Sequence, residues 1–204
     1  MKINKKKFLY LISPNKVSKT FYGDLIEVLK SNKISFFQLR LKKGSFKNKL
    51  RIAKKIKKIC RKFRVKFLIN DDPSLAKKIN ADGCHLGQKD VNITNARKIL
   101  KKKIIGITCH NSLKLAKKAI KDNADYIAFG AFYFTNTKKV KYKANISILR
   151  KLKKFSNIPV VAIGGINDSN YEKLLLNKAD FLAMSGYVWK NKKLKPSETI
   201  KKLK

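Results

Sequence analysis

The chain has 204 residues, 44% of them apolar, which is enough for a core without disulfides or metal staples and excludes a small stapled scaffold. Its 51 Lys+Arg against 12 Asp+Glu leave a net charge of +39, the balance expected of a protein that meets anions. The lysines are spread over every helix-like segment and both termini, and no nucleic-acid motif with interleaved aromatics accompanies them, so no specific nucleic-acid partner is expected.

The opening stretch, MKINKKKFLYLISPNK, imitates an export signal, but its apolar run of about six residues falls short of the about 7–15 such a signal needs. Residues 8–12 are therefore expected to form the first strand. No segment reaches the roughly 20 apolar residues that cross a bilayer. Cys60, Cys84 and Cys109 lie far apart and in no metal-ligand spacing, which fits a reducing compartment. A cytoplasmic protein with no membrane partner is expected, and nothing in the sequence fixes its oligomeric state.

From there, runs rich in Ile, Val and Phe alternate with lysine-studded segments of helical spacing. Strands are predicted at 8–12, 34–39, 65–69, 83–86, 104–108, 126–130, 159–163 and 181–184. Helices are predicted at 21–29, 47–62, 74–79, 94–100, 113–121, 146–154, 170–176 and 196–203. About eight strand–helix pairs without an internal linker predict one α/β domain over residues 1–204, a (β/α)8 TIM barrel at the short end of its usual length. A doubly wound open sheet is the competing architecture. The first strand is not followed by the Gly-rich fingerprint of its dinucleotide-binding form.

In a barrel the chemistry gathers at the C-terminal ends of the strands, and unusual polar residues fall there. After the second strand, Gln38, Arg40 and Lys42 alternate with Leu39 and Leu41, which puts the polar three on one face as an anion clamp or a solvated edge. The stretch from Phe67 to Asp90 holds four of the twelve acids: Asp71, Asp72, Asp82 and Asp90. Asn70 and Asp71 end one strand, Gln88 and Asp90 follow the next, and parallel neighbours would bring both carboxylates to one edge, where they could share a hard cation. The alternative is that Asp71 and Asp72 open a helix with Pro73 in its first turn, and that Asp90 caps the following helix. Asp82, at the start of a strand, reads as structural.

Further along, Thr108 and His110 end the fifth strand, and Thr135, Asn136, Thr137 and Lys138 follow the sixth. Lone histidines such as His85 and His110 are more often structural than catalytic. Gly164 and Gly165 end the seventh strand, Met184 and Ser185 the eighth. Loops after these two strands are the recurrent phosphate site of the fold, and paired glycines let backbone N–H groups approach an anion.

With these positions assembled, the sequence resembles the thiamine-phosphate synthases from the first strand to the last. The motifs are QLRLK at 38–42, IND at 69–71, ADGCHLGQKD at 81–90, GITCH at 106–110, TNTK at 135–138 and AIGGI at 162–166. The resemblance implies a magnesium-dependent transferase of thiamine biosynthesis that joins a pyrimidine diphosphate to a thiazole phosphate and releases pyrophosphate. It implies Mg2+ on Asp71 and Asp90, and the pyrimidine diphosphate on Gln38, Leu39, Arg40, Leu41, Lys42, Asn70, Thr108 and Lys138. Of these, Arg40, Lys42, Thr108 and Lys138 would be catalytic. The thiazole phosphate would lie on Thr135, Asn136, Thr137, Gly165, Met184 and Ser185. Such a reaction needs cations and a metal to stabilise departing negative charge, and no nucleophile or general base from the protein.

Three positions depart from the pattern: Thr108 stands where serine is common, Asp72 where arginine often follows Asn-Asp, and Phe134 where proline is usual. Asp72 places a charge of the wrong sign beside a proposed metal ligand. Two other functions compete. A thiazole tautomerase on the same fold would use a histidine at His110 and would not need the diphosphate and metal set. A basic nucleic-acid-binding protein would bind DNA or RNA in a steeply salt-dependent way.

Overall fold

The structure, a computed structural model, describes residues 7–135 and 141–203. Eight parallel strands close a barrel in sequence order, each paired with its neighbours and the last with the first. The strands are β1 (Leu9–Ile12), β2 (Ile34–Leu39), β3 (Lys66–Asn70), β4 (Gly83–Leu86), β5 (Ile104–His110), β6 (Tyr126–Gly130), β7 (Val160–Ile163) and β8 (Phe181–Met184). The helices are α1 (Phe21–Leu29), α2 (Phe46–Lys62), α3 (Pro73–Lys78), α4 (Ile93–Leu100), α5 (Leu113–Lys121), α6 (Ser147–Lys153), α7 (Tyr171–Leu176), α8 (Gly186–Trp189) and α9 (Pro196–Lys201). The predicted barrel is present, and the elements agree with prediction to within about two residues at each end. The sequence missed α8, whose four residues are too few to display a helical period.

The alternation along each strand sorts side chains into two apolar clusters. Leu9, Leu11, Phe67, Ile69, Ile127, Phe129, Leu182 and Met184 face outward into the shell under the helices. Tyr10, Phe36, Leu68, Tyr126, Ala128, Val161 and Phe181 fill the barrel itself. The helices are amphipathic for the same reason. In α2, Ser45 caps the N-terminus by accepting from Asn48, while Ile52, Ala53, Ile56 and Cys60 recur at helical spacing on the buried face. Lysines take the positions between them, so much of the positive charge lies on the outer faces of the helices.

One device recurs at the N-terminal edge. Asp82, Asp125 and Asp180 each follow an alanine and immediately precede an even-numbered strand. Their carboxylates accept from the backbone N–H of Phe67, Ile105 and Val160, on the odd-numbered strands before, at 2.9, 2.8 and 2.8 Å. Each also pairs with a cation: Lys66 at 3.2 Å, Arg97 at 2.7 Å and Lys153 at 2.7 Å. The structural reading of Asp82 therefore holds, and it extends to two further acids. The three cysteines are buried and unbridged. No helix among the described residues is long and apolar enough to cross a membrane.

Candidate active site

The C-terminal mouth of the barrel starts from Gln38. It is 2% exposed, faces inward between Tyr10 and Asn70, and is flanked by Leu39 in the outer shell. The same alternation carries Arg40 and Lys42 to the mouth and turns Leu41 back against the outer shell. Arg40 donates its backbone N–H to Ser13 Oγ at 2.9 Å and its Nη1 to Asn15 Oδ1 at 2.6 Å. Lys42 Nζ reaches Asp71 Oδ2 at 2.5 Å.

The pairing of β3 with β4 brings the two motif acids together, as parallel neighbours should. Asp71 takes a left-handed backbone conformation, φ 63°, which aspartate tolerates better than most residues, and its N–H bonds the His85 carbonyl at 2.8 Å. Asp90 accepts from the Gly87 N–H at 2.7 Å, and a Cβ at Gly87 would stand 2.9 Å from that carboxylate oxygen. The Asp71 and Asp90 carboxyls are in hydrogen-bond contact. Burial pushes Asp71 up, but the Lys42 ammonium and the Asp90 carboxyl outweigh it and hold Asp71 below the usual carboxylate range. Burial and the Asp71 charge push Asp90 the other way, above that range.

The alternative that these acids only serve helix starts holds for one of them. Asp72 is the N-cap of α3, accepting from the Leu75 N–H at 2.8 Å with Pro73 in the first turn. Its carboxylate thus serves the helix start, and its charge remains beside Asp71. Asp90 does not cap α4: Asn92 does, accepting from Asn95 N–H at 2.8 Å.

Behind the mouth lies a buried polar layer that sequence reasoning missed. Thr108 Oγ1 stands 2.9 Å from His85 Nε2, and His85 Nδ1 stands 2.7 Å from the Tyr126 hydroxyl. Tyr126 meets the Tyr10 hydroxyl at 2.8 Å, Tyr10 donates to Gln38 Oε1 at 2.7 Å, and Gln38 Nε2 donates to Asn70 Oδ1. Burial lowers His85 to about 4, against a smaller upward pull from Asp71, so the ring is neutral near pH 7. Burial raises both tyrosines as well. Both tyrosines sit at strand positions that read as apolar, and their hydroxyls give no periodic signal. The clue available was Tyr10 itself, alternating with Leu9 and Leu11 on the face that Gln38 also uses.

The remaining expected residues fall as follows. Thr135 lies half-buried on the loop after β6, while Asn136, Thr137 and Lys138 lie outside the described residues. Ser185 follows β8 directly, before α8, and its Oγ donates to the Ser13 carbonyl at 3.4 Å. Met184, like Leu39 and Leu41, turns its side chain away from the mouth into the outer shell, so these three can offer a ligand only backbone atoms. Gly164 and Gly165 have φ 104° and 66°. A Cβ on Gly165 would meet the Phe134 carbonyl at 2.2 Å, and one on Gly164 the Ala131 Cβ at 2.3 Å. The paired glycines are thus required by the segment after β6, whose Tyr133 N–H bonds the Gly164 carbonyl at 3.0 Å, whatever they do for a phosphate. His110 is not in the buried layer; its ring lies against Tyr142, tilted by 33° with centroids 4.3 Å apart.

The thiamine monophosphate synthase family model matches residues 9–188, which spans all eight strands. A thiamine-phosphate synthase of Pelagibacter ubique is 69% identical, with 100% of each chain covered. One from Nitrosomonas eutropha is 40% identical over 87% of this chain and 84% of its own. Among solved structures, a thiamine phosphate pyrophosphorylase from Pyrococcus furiosus superposes with a TM-score of 0.86 at 29% identity, covering 98% of this chain and 94% of its own. With a barrel whose mouth gathers Gln38, Arg40, Lys42, Asn70, Asp71 and Asp90, the chain belongs to the thiamine monophosphate synthase family.

Proposed function

We propose that this protein is a transferase of thiamine biosynthesis, joining a pyrimidine methyl diphosphate to a thiazole phosphate to give thiamine phosphate and pyrophosphate. The observation that carries the reading is the convergence of Lys42, Asp71 and Asp90 at one strand edge, in a chain 69% identical to a thiamine-phosphate synthase along its whole length. In the reaction the methylene C–O bond breaks with its electron pair leaving on pyrophosphate, and the thiazole nitrogen supplies the pair for the new C–N bond. The chain's task is to bind both partners in line and to stabilise the departing charge. Arg40 and Lys42 stand at the mouth as cations for the diphosphate, and Asn70 offers its amide beside them. Lys138 joins this set and Asn136 and Thr137 the thiazole phosphate set by motif. Thr135, Gly165 and Ser185 are assigned to the thiazole phosphate; their position on the loops after β6, β7 and β8 supports this.

The donor set fits Mg2+, with Asp71 and Asp90 as its holders. Two hard carboxylates in contact repel each other, as the upward push on Asp90 reflects, and a divalent cation relieves that repulsion. No cluster of three or more metal-ligating side chains occurs among the described residues, and a pair suits magnesium, which keeps positions for water and phosphate oxygens. When bound, the ion supplies charge neutralisation at the diphosphate oxygens.

The test is release of pyrophosphate and formation of thiamine phosphate by the purified protein, with and without Mg2+ and with each substrate omitted in turn. Product is expected only with both substrates and the metal. No product above background from fresh substrates would sink the reading.

A further inference from the structure

We propose that Tyr10, Tyr126 and His85 are positioning residues. Their hydrogen bonds run one way through the barrel from Thr108 to Asn70, and so fix which atoms these two mouth residues turn toward a substrate. The kinetic part of this proposal rests on the transferase reading above; the direction of the chain does not.

The direction follows from counting protons. Gln38 Oε1 has no hydrogen, so Tyr10 must donate to it. A phenol has one proton, so at the 2.8 Å contact between the two hydroxyls Tyr126 is the donor and Tyr10 the acceptor. With the Tyr126 proton spent, His85 Nδ1 must donate at 2.7 Å. A neutral imidazole carries one N–H, so Nε2 is bare and accepts from Thr108 at 2.9 Å. At the other end Gln38 Nε2 donates to Asn70 Oδ1. Every bond in the series points the same way, from β5 through β4, β6, β1 and β2 to β3.

The two ends therefore differ in chemistry. Asn70, its carbonyl oxygen engaged by Gln38, turns both Nδ2 hydrogens to the mouth next to Asp71, where an anionic group would find donors. Thr108, its proton engaged by His85, turns lone pairs to the mouth and accepts from a substrate donor group. Reversing the chain would exchange these roles: Asn70 would offer an oxygen to an anion, and Thr108 would have its hydroxyl proton free to donate to a substrate. Tyr10 is 1% exposed, Tyr126 0% and His85 8%, so water has little access to scramble the order.

The test begins with the ring nitrogens. Long-range proton–nitrogen correlation NMR on histidine-labelled, ligand-free protein is expected to find His85 protonated on Nδ1 and bare on Nε2. The sequence has two histidines, so a His110→Gln control assigns the rings. Tyr10→Phe deprives the Tyr126 proton of its acceptor; that proton turns to His85 Nδ1, and the ring N–H moves to Nε2. Tyr10→Phe is expected to lower kcat/KM about tenfold, and its effect to be non-additive with that of Thr108→Ala. Should Tyr10→Phe fail to fold, Tyr126→Phe removes the Nδ1 acceptor directly and predicts the same change of tautomer. An Nε2–H ring in the unaltered protein, or a ring unmoved by either variant, overturns the proposal. An Nδ1–H ring in a protein that makes no thiamine phosphate would leave the chain direction standing and remove only the transferase reading.

Discussion

Aspartates occupy both ends of this barrel, in opposite circumstances. At the N-terminal edge, Asp82, Asp125 and Asp180 each accept from a backbone N–H and pair with a cation. At the C-terminal edge, Asp71 and Asp90 face each other, one held down by Lys42 and the other pushed up. Each carboxylate at the first edge has a backbone donor and a cation supplied by the fold. At the second edge two like charges meet, an arrangement that folding alone does not favour and that a bound cation would reward. Residue type says little about role here; the partner set says nearly everything.

Three measurements would sharpen or break that contrast. The largest effect is expected at the mouth: Asp71→Ala or Asp90→Ala should cut turnover at least about 100-fold while leaving the thermal midpoint near that of the unaltered protein. Full activity in either variant, with the midpoint unchanged, would remove that residue from the proposed metal site.

The second concerns the buried layer beneath the mouth. His85 is lowered from 6.5 to about 4, so the unfolded chain binds its proton first as pH falls. The associated stability is fully present above pH 6.5 and is lost progressively toward about pH 4. The size is roughly 3 kcal/mol at about 1.4 kcal/mol per unit. Denaturant titrations across this window should fall more steeply for the unaltered protein than for His85→Gln. Parallel curves would show that the imidazole does not titrate as its burial implies.

The smallest effect is expected at the N-terminal edge. Asp180→Ala strands the Val160 N–H and the partly buried Lys153, and should cost about 2 kcal/mol, or about 4–8 °C in thermal midpoint. Turnover at saturating substrate should not change. A loss of turnover with an unmoved midpoint would mean that the two edges are not separable in the way the geometry describes.

The site was only partly legible before folding. Gln38, Arg40 and Lys42 could be assigned one face because a strand has period two, and the structure turns them to the mouth with Leu39 and Leu41 in the outer shell. Asp71 and Asp90 could be paired because parallel neighbours end on one edge. The division of labour between Asp71 and Asp72 could not be read, since both stand before a proline-led helix and only backbone geometry decides which one caps it. Gly164 and Gly165 pointed to a phosphate, whereas close approach of the segment after β6 already demands them. Met184 looked like a site residue by its position at the end of β8 and proves to face the helices.

The sequence by itself determined the barrel, its eight strand–helix pairs and the family, because alternating apolar periods and a few dense motifs survive without coordinates. Only the tertiary structure decided the polar interior. Tyr10, Gln38, Asn70, His85, Thr108 and Tyr126 come from six different strands, and although Gln38, Asn70 and Thr108 stand out at their strand ends, nothing within any one segment links them to Tyr10, His85 and Tyr126. Hydrogen bonds between residues 28 and 116 positions apart leave no periodic trace in the chain. They exist because barrel closure brings the inward faces of all the strands to one axis, where each buried polar group must find its partner.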